Sequence, residues 1–192
     1  MLNTMMVIEM YTLNRALTDL TQEEFDWAPH PGAWGIARRS ECTTPNPGGA
    51  PDGEWVVEYD VEAQLTEMRG EPREPMTTIG WLLNHFGAAP RDMAALEIVG
   101  GPNEATAEAY QRMWGHEVIS TVDEAVARVR DGWRALDTAL RATPDEALER
   151  DYPGHPWVRG DLAITAMLNE VSHHGTQICV LRDMHTNRSP RS

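Results

Sequence analysis

The chain has 192 residues, the length of one domain, and 41% of them are hydrophobic, which suffices for a sizeable buried core. Its 30 acidic and 16 basic residues give a formal net charge of −14, which argues against binding to nucleic acid or to an anionic membrane surface. The sequence contains neither an apolar run long enough to span a membrane nor the pattern of a secretory signal, so it predicts a cytoplasmic protein. Cys42 and Cys179 are predicted to be free thiols.

Hydrophobic periodicity predicts four helices, of which the first extends from about Thr4 to Leu20. Its predicted buried face carries apolar residues at steps of three or four: Met6, Met10, Leu13 and Leu17. The second helix begins at Thr77 or Thr78, whose hydroxyl can cap the first turn, and ends before Gly100. The residues predicted on its buried face are Trp81, Leu82, His85, Ala89, Met93 and Leu96. One histidine therefore points into the predicted core.

The third predicted helix begins at the capping-box pair Thr121 and Glu124 and ends at about Thr143. Its predicted buried face comprises Val122, Ala125, Val129, Trp133, Leu136 and Leu140. The fourth helix runs from about Asp161 to His185. Four amphipathic helices without a convincing series of strands predict an all-α, antiparallel four-helix bundle, with up-down-down-up or a related topology. We expect one domain over residues 1–185 and a polar tail over residues 186–192.

A long connection over residues 28–75 separates the first two predicted helices and holds most of the prolines. Only Glu54–Val61 in this connection predicts a short edge strand. Connections of this length are uncommon in compact domains and are often functional. A second connection, over residues 101–120, has room for a short helix and contains His116 beside tryptophan. We expect both loops to shape a binding pocket at one end of the bundle.

The fourth predicted helix places polar side chains inside its apolar stripe. At 100° per residue, His174 lies about 40° from Glu170, and the apolar residues of the helix surround both directions. Buried without partners, Glu170, His174 and the core-facing His85 would each cost several kcal/mol. A shared divalent cation explains all three, because ligands four residues apart project side by side and a neighbouring helix supplies the third. Three protein ligands leave positions open for water or substrate, as in catalytic zinc sites, and nickel or iron(II) would accept the same donors.

A simpler interpretation of the same residues stays open. A histidine on an apolar face is often a hydrogen-bonded core residue, and a Glu–His pair at i and i+4 forms a modest helix contact. His173 lies about 60° from Glu170 on the other side and is interpreted as a flanking residue, although its pairing with Gln177 is an alternative. Cys179 points about 180° away from Glu170 and should not be a ligand. The sequence has no glycine-rich phosphate loop, G-x-S-x-G or C-x-x-C motif.

Four stretches of the chain resemble the DinB-like superfamily, which includes bacillithiol and mycothiol S-transferases and the amino-terminal domain of mycothiol-dependent maleylpyruvate isomerase. The resemblance extends from Leu17 to Met184 and rests on the order and spacing of EEFDWAPHPGAWGI, TTIGWLLNHFG, WGHEV to DGWRALD, and NEVSHHGTQICVLRDMH. It implies a four-helix bundle with a divalent metal held by His85, Glu170 and His174. Many relatives have histidine at the middle position, whereas the maleylpyruvate isomerase type has glutamate.

The resemblance also implies a function. It suggests a metal-dependent transferase that uses a low-molecular-weight, mycothiol-like thiol as cosubstrate, with the metal-bound thiolate attacking an electrophile. Zinc is the first expectation for the cation. The alternative is a non-catalytic stress-response or binding module of the same fold, with an incidental or absent metal. The abundance of tryptophan and methionine further suggests a homodimer.

Overall fold

The computed structural model describes residues 1–44, 47–58, 76–87, 90, 116–152 and 155–188. In chain order, its helical segments are α1 (Leu2–Ile8), a π-helical turn (Glu9–Leu13), α2 (Asn14–Leu17), α3 (Gln22–Asp26), α4 (Ile79–Phe86), α5 (Val122–Ala142), α6 (Asp145–Leu148) and α7 (Gly160–Thr186). Its strands are β1 (Ile36–Arg38), β2 (Trp55–Val57), β3 (Asp151–Tyr152) and β4 (His155–Arg159). The described part of the chain is therefore mostly helical.

The buried face of the first helical segment differs from the predicted one. Met6 and Met10, which were predicted to face the core, are 57% and 51% exposed. Leu13 and Leu17 are buried as predicted, together with the unpredicted Met5, Ile8 and Ala16. The π-helical turn explains the difference because it widens one turn of the helix, so the buried position after Ile8 is Leu13. The prediction assumed 3.6 residues per turn throughout, so it was wrong for Met6 and Met10, which precede the end of this turn, and right for Leu13 and Leu17.

The first and last helical segments lie side by side and run in the same direction. In the π-helical turn, Thr12 packs against Gly175 of α7, and a Cβ atom added to Gly175 would lie 2.6 Å from the Thr12 Cγ2 atom. Farther along α7, Arg182 donates hydrogen bonds to carbonyl oxygens in the last turn of α2 and just after it: those of Arg15, Ala16, Thr18 and Asp19. Because residue numbers increase together along both segments, the two are parallel.

Helices α4 and α5 pack against each other and against the same hydrophobic core. Asn84 of α4 exchanges two hydrogen bonds with the backbone of Ile119, at 2.8 and 2.9 Å, just before α5 begins. The predicted inward face of α5 is confirmed by five buried residues: Ala125, Val129, Trp133, Leu136 and Leu140. The second half of the predicted second helix, with Ala89, Met93 and Leu96, lies outside the described residues.

The capping box forms at a different helix from the predicted one. Thr121 donates its hydroxyl to the Glu124 carboxylate at 2.6 Å, but its side chain does not cap the α5 amides. Instead, Thr21 and Glu24 form a complete capping box at the start of α3. The same sequence pattern thus precedes both α3 and α5, and of these two only the copy before α3 has the reciprocal hydrogen bonds of a capping box.

Two small antiparallel sheets accompany the helices, so the expectation of an all-α chain needs this correction. β1 pairs with β2, with Ile36 opposite Val57, and β3 pairs with β4 immediately before α7. β2 lies within the predicted strand Glu54–Val61, whereas the other three strands were not predicted. A parallel bridge between Trp34 and Thr77 fixes the long connection beside the start of α4. Within the described ranges, no helix is long and apolar enough to cross a membrane.

Candidate metal centre

Helices α4 and α7 bring together the three residues predicted as metal ligands. One donor atom from each of His85, Glu170 and His174 lies within 4.8 Å of the other two. The two helices are in contact here, because the ring of Phe86 stacks on that of His174 with centroids 5.8 Å apart. The packing of α4 on α7 therefore places His85, distant in sequence, beside the pair on α7.

The pair on α7 has the spacing of two ligands of one ion. The His174 Nε2 atom lies 3.1 Å from Glu170 Oε2. Two atoms bonded to one cation at about 2.1 Å, at angles between tetrahedral and octahedral, lie about 3.0 to 3.4 Å apart. The same distance is also that of a hydrogen bond if Nε2 carries the proton. His85 would complete the set only after a small closure, since a separation of up to 4.8 Å exceeds the span of two such bonds.

His85 is held as a neutral ring. Its imidazole stacks on Trp81 with centroids 4.8 Å apart and meets His174 edge to face at 4.8 Å. Burial, followed by repulsion from His174, lowers the pKa of His85 to about 3. At neutral pH the ring is therefore uncharged and keeps a lone pair, which is the form that binds metal ions. The donor set thus fits a divalent cation.

Glu170 is the residue whose surroundings were predicted wrongly. Its side chain is 51% exposed, whereas that of His174 is 11% exposed. The expected apolar neighbours Val171, Ile178 and Leu181 are buried. A helical wheel gives the direction of a side chain around the axis but not which neighbour covers it at that height. The case for a cation therefore rests on the proximity and chemistry of the donors, not on the burial of the carboxylate.

The remaining candidates separate into neighbours of the site and residues away from it. His173 is exposed, and its ring centroid lies 5.1 Å from that of His174. Cys179 is buried, and burial is the main cause that raises the pKa of its thiol, so it stays protonated at neutral pH. Gln177, considered above as an alternative partner of His173, has its Oε1 atom 2.7 Å from Nδ1 of His174. Its i,i+3 spacing from His174 was the available signal.

Space for small molecules lies along α4. A cavity of about 10 Å³ beside His85, lined in part by Trp81 and Asn84, has room for about one water molecule. A larger cavity of about 410 Å³ is lined by Thr78 at the other end of α4 and by residues of the long connection, including Trp55. Thr78 and His85 are seven residues apart, or about 10 Å along a helix.

These features describe a mostly helical protein with a candidate His–Glu–His metal centre between two helices. A sequence profile of the DinB superfamily matches residues 50–178, which is more than half of the chain and includes all three centre residues. The chain therefore belongs to the DinB superfamily, as its motifs suggested. No curated protein and no solved structure matches the chain in the corresponding comparisons.

Proposed function

We propose that this protein is a metal-dependent transferase that uses a low-molecular-weight, mycothiol-like thiol as cosubstrate and an electrophile as second substrate. The observation that carries the proposal is the convergence of His85, Glu170 and His174 donor atoms within 4.8 Å. Membership of the DinB superfamily supports it. Zinc is the cation proposed first, because two imidazoles and one carboxylate form a known catalytic zinc set; nickel or iron(II) would bind the same donors.

The proposal includes the complete architecture. We place residues 1–185 in a single cytoplasmic domain, an antiparallel four-helix bundle of up-down-down-up topology, followed by the tail over residues 186–192. The parallel arrangement of the first and last helical segments supports this topology. The start of α5 beside α3, where the Val122 amide donates to Gln22 Oε1 at 2.8 Å, is consistent with a third helix that runs opposite to the first.

In the proposed reaction, different parts of the chain bind the cation and shape the substrate pocket. A bound divalent cation would supply positive charge that lowers the pKa of a thiol from about 8.5 and so provides the thiolate at neutral pH. His85 contributes an uncharged ring that Trp81 holds by stacking. Glu170 contributes a negative charge on the exposed side of the centre, where a small molecule can approach. The 410 Å³ cavity supports the view that the long connection shapes the pocket for the electrophile.

Metal content is the first test of the proposal. Protein purified without a nickel column and dialysed against trace zinc should hold close to one ion per chain. His85→Gln and His174→Gln should lose the ion while remaining folded by circular dichroism. His173→Gln is the matched control, since it changes the adjacent, exposed histidine of the same helix. Equal metal content in all four proteins would refute this centre.

Activity is the second test. Metal-loaded protein should accelerate the reaction of mycothiol or bacillithiol with a bimane or a chloronitrobenzene above the uncatalysed rate. Glu170→Gln, which removes the charge but keeps the size of the side chain, should lower that rate. A wild-type protein without any acceleration across a panel of thiols and electrophiles would refute the transferase.

The alternative is a non-catalytic stress-response or binding module with an incidental or absent metal. One observation favours it: Glu170 and His174 also form an ordinary i,i+4 helix pair at 3.1 Å, which needs no cation. A metal-free protein with full thermal stability and no zinc uptake would support the module.

A further inference from the structure

A single hydrogen bond joins the side-chain amide of Gln177 to His174 of the candidate metal centre. Gln177 follows His174 by three residues on α7, and its Oε1 lies 2.7 Å from His174 Nδ1. The other ring nitrogen, Nε2, lies 3.1 Å from Glu170 Oε2. Both nitrogens of one imidazole are therefore engaged by side chains of its own helix, one by an amide and one by a carboxylate.

The hydrogen bonds to Gln177 and Glu170 depend on which nitrogen of the His174 ring carries the proton. A neutral imidazole carries one proton, and the nitrogen without it offers a lone pair. If Nδ1 holds the proton, it donates to Gln177 Oε1 and leaves the Nε2 lone pair for a cation. If Nε2 holds the proton, it donates to Glu170, and Nδ1 must then accept a hydrogen bond. Gln177 presents its amide oxygen to Nδ1 and therefore serves the first state, whereas the second state would require the amide to flip.

We propose that Gln177 is a positioning residue that sets which nitrogen of His174 carries the proton and thereby frees Nε2 for a cation. The proposal rests on the metal centre of the proposed function. Partners of this kind orient ligating histidines in metal sites, and their loss typically weakens metal binding 10- to 100-fold. His85 does not depend on Gln177, since the stacked Trp81 ring supports it from α4.

Three variants separate hydrogen bonding from charge. Gln177→Met keeps the length of the side chain but removes the amide. Gln177→Glu keeps an acceptor for Nδ1–H and adds a negative charge. Thr176→Glu is the charge control, because Thr176 is the exposed neighbour whose hydroxyl bonds to the Ser172 carbonyl oxygen at 2.8 Å.

The test combines zinc titration with ¹⁵N-histidine NMR at pH 8. We expect Gln177→Met to weaken zinc binding 10- to 100-fold and Gln177→Glu to restore it at least to the wild-type value. We expect Thr176→Glu to change zinc binding less than threefold. In the zinc-loaded wild type, His174 should carry its proton on Nδ1. Wild-type zinc affinity in Gln177→Met, with the same tautomer, would overturn the proposal.

A comparison of the zinc-free proteins tests the role of Gln177 even if the protein binds no metal. Without zinc, Gln177→Met leaves Glu170 as the remaining hydrogen-bond partner of the ring among the described residues, so the population with the proton on Nε2 should rise relative to wild type. An unchanged tautomer ratio would overturn the role of Gln177. A wild-type protein that binds no zinc would overturn the proposed metal function alone, since the tautomer comparison still reports on Gln177.

Discussion

Arg182 of α7 donates its Nε–H to Oε1 of Glu24 in α3 over 2.8 Å and thereby joins the end of the last helix to the start of α3. The other oxygen of this carboxylate accepts the backbone amide and the hydroxyl of Thr21, both at 2.9 Å. Glu24 is 8% exposed. Burial raises its pKa, but the hydrogen bonds from Thr21 and Arg182 together outweigh burial and hold the pKa below 4.5. The buried carboxylate is thus ionised and fully engaged.

This lowered pKa predicts a pH dependence of stability. Because the folded-state pKa of Glu24 is below the unfolded one, its contribution is complete above about pH 4.5 and is lost as the pH falls through the folded-state value. We expect Glu24→Gln to lower the free energy of unfolding at pH 7 by about 1 to 3 kcal/mol and to flatten its decline in acid. Urea denaturation at a series of pH values measures both. Asp123→Asn, at the exposed start of α5, is the control, and a wild-type acid slope in Glu24→Gln would contradict the prediction.

We predict that position 175 must be glycine because it packs closely against the π-helical turn. A Cβ atom there would lie 2.6 Å from Thr12 Cγ2, so Gly175→Ala should destabilise the protein by about 1 to 3 kcal/mol through overpacking. In the Thr12→Ser background that methyl group is gone, and the same substitution should become neutral or stabilising, because alanine favours a helix over glycine by about 1 kcal/mol. Thermal or urea denaturation of the four proteins measures this reversal. A stabilising Gly175→Ala in the wild-type background would refute the contact.

The two long helices were the most predictable elements. Apolar periodicity predicted α5 and α7 to within two residues, and the Glu–His spacing on α7 with the inward His85 predicted the clustering of the three candidate ligands. The π-helical turn was not predictable by the same argument, because it changes the period itself. β1 was missed because it has three residues and is defined by its pairing with distant Val57.

Exposed apolar side chains on the first helical segment bear on the predicted homodimer. The four large ones there are Met6, Val7, Met10 and Tyr11. Contiguous apolar surface of this kind often marks an interface. We expect sedimentation velocity at micromolar concentration to give a species of twice the 21.5 kDa chain mass, and Met10→Glu to shift it toward the monomer. Detection of the 21.5 kDa species alone in the wild type would contradict the homodimer.

Zinc should stabilise the folded chain, because its proposed ligands come together only when α4 packs on α7. His85 is 85 residues from Glu170 in sequence, so the unfolded chain does not present the set and binding energy becomes folding energy. At free zinc about 1,000-fold above its dissociation constant, linkage predicts about 4 kcal/mol of stabilisation, or a rise in Tm of about 8 to 16 °C for a chain of this size. Scanning calorimetry with zinc and with a chelator measures the difference. His85→Gln should abolish the rise and His173→Gln should retain it, whereas an equal rise in both variants would mean that zinc binds elsewhere.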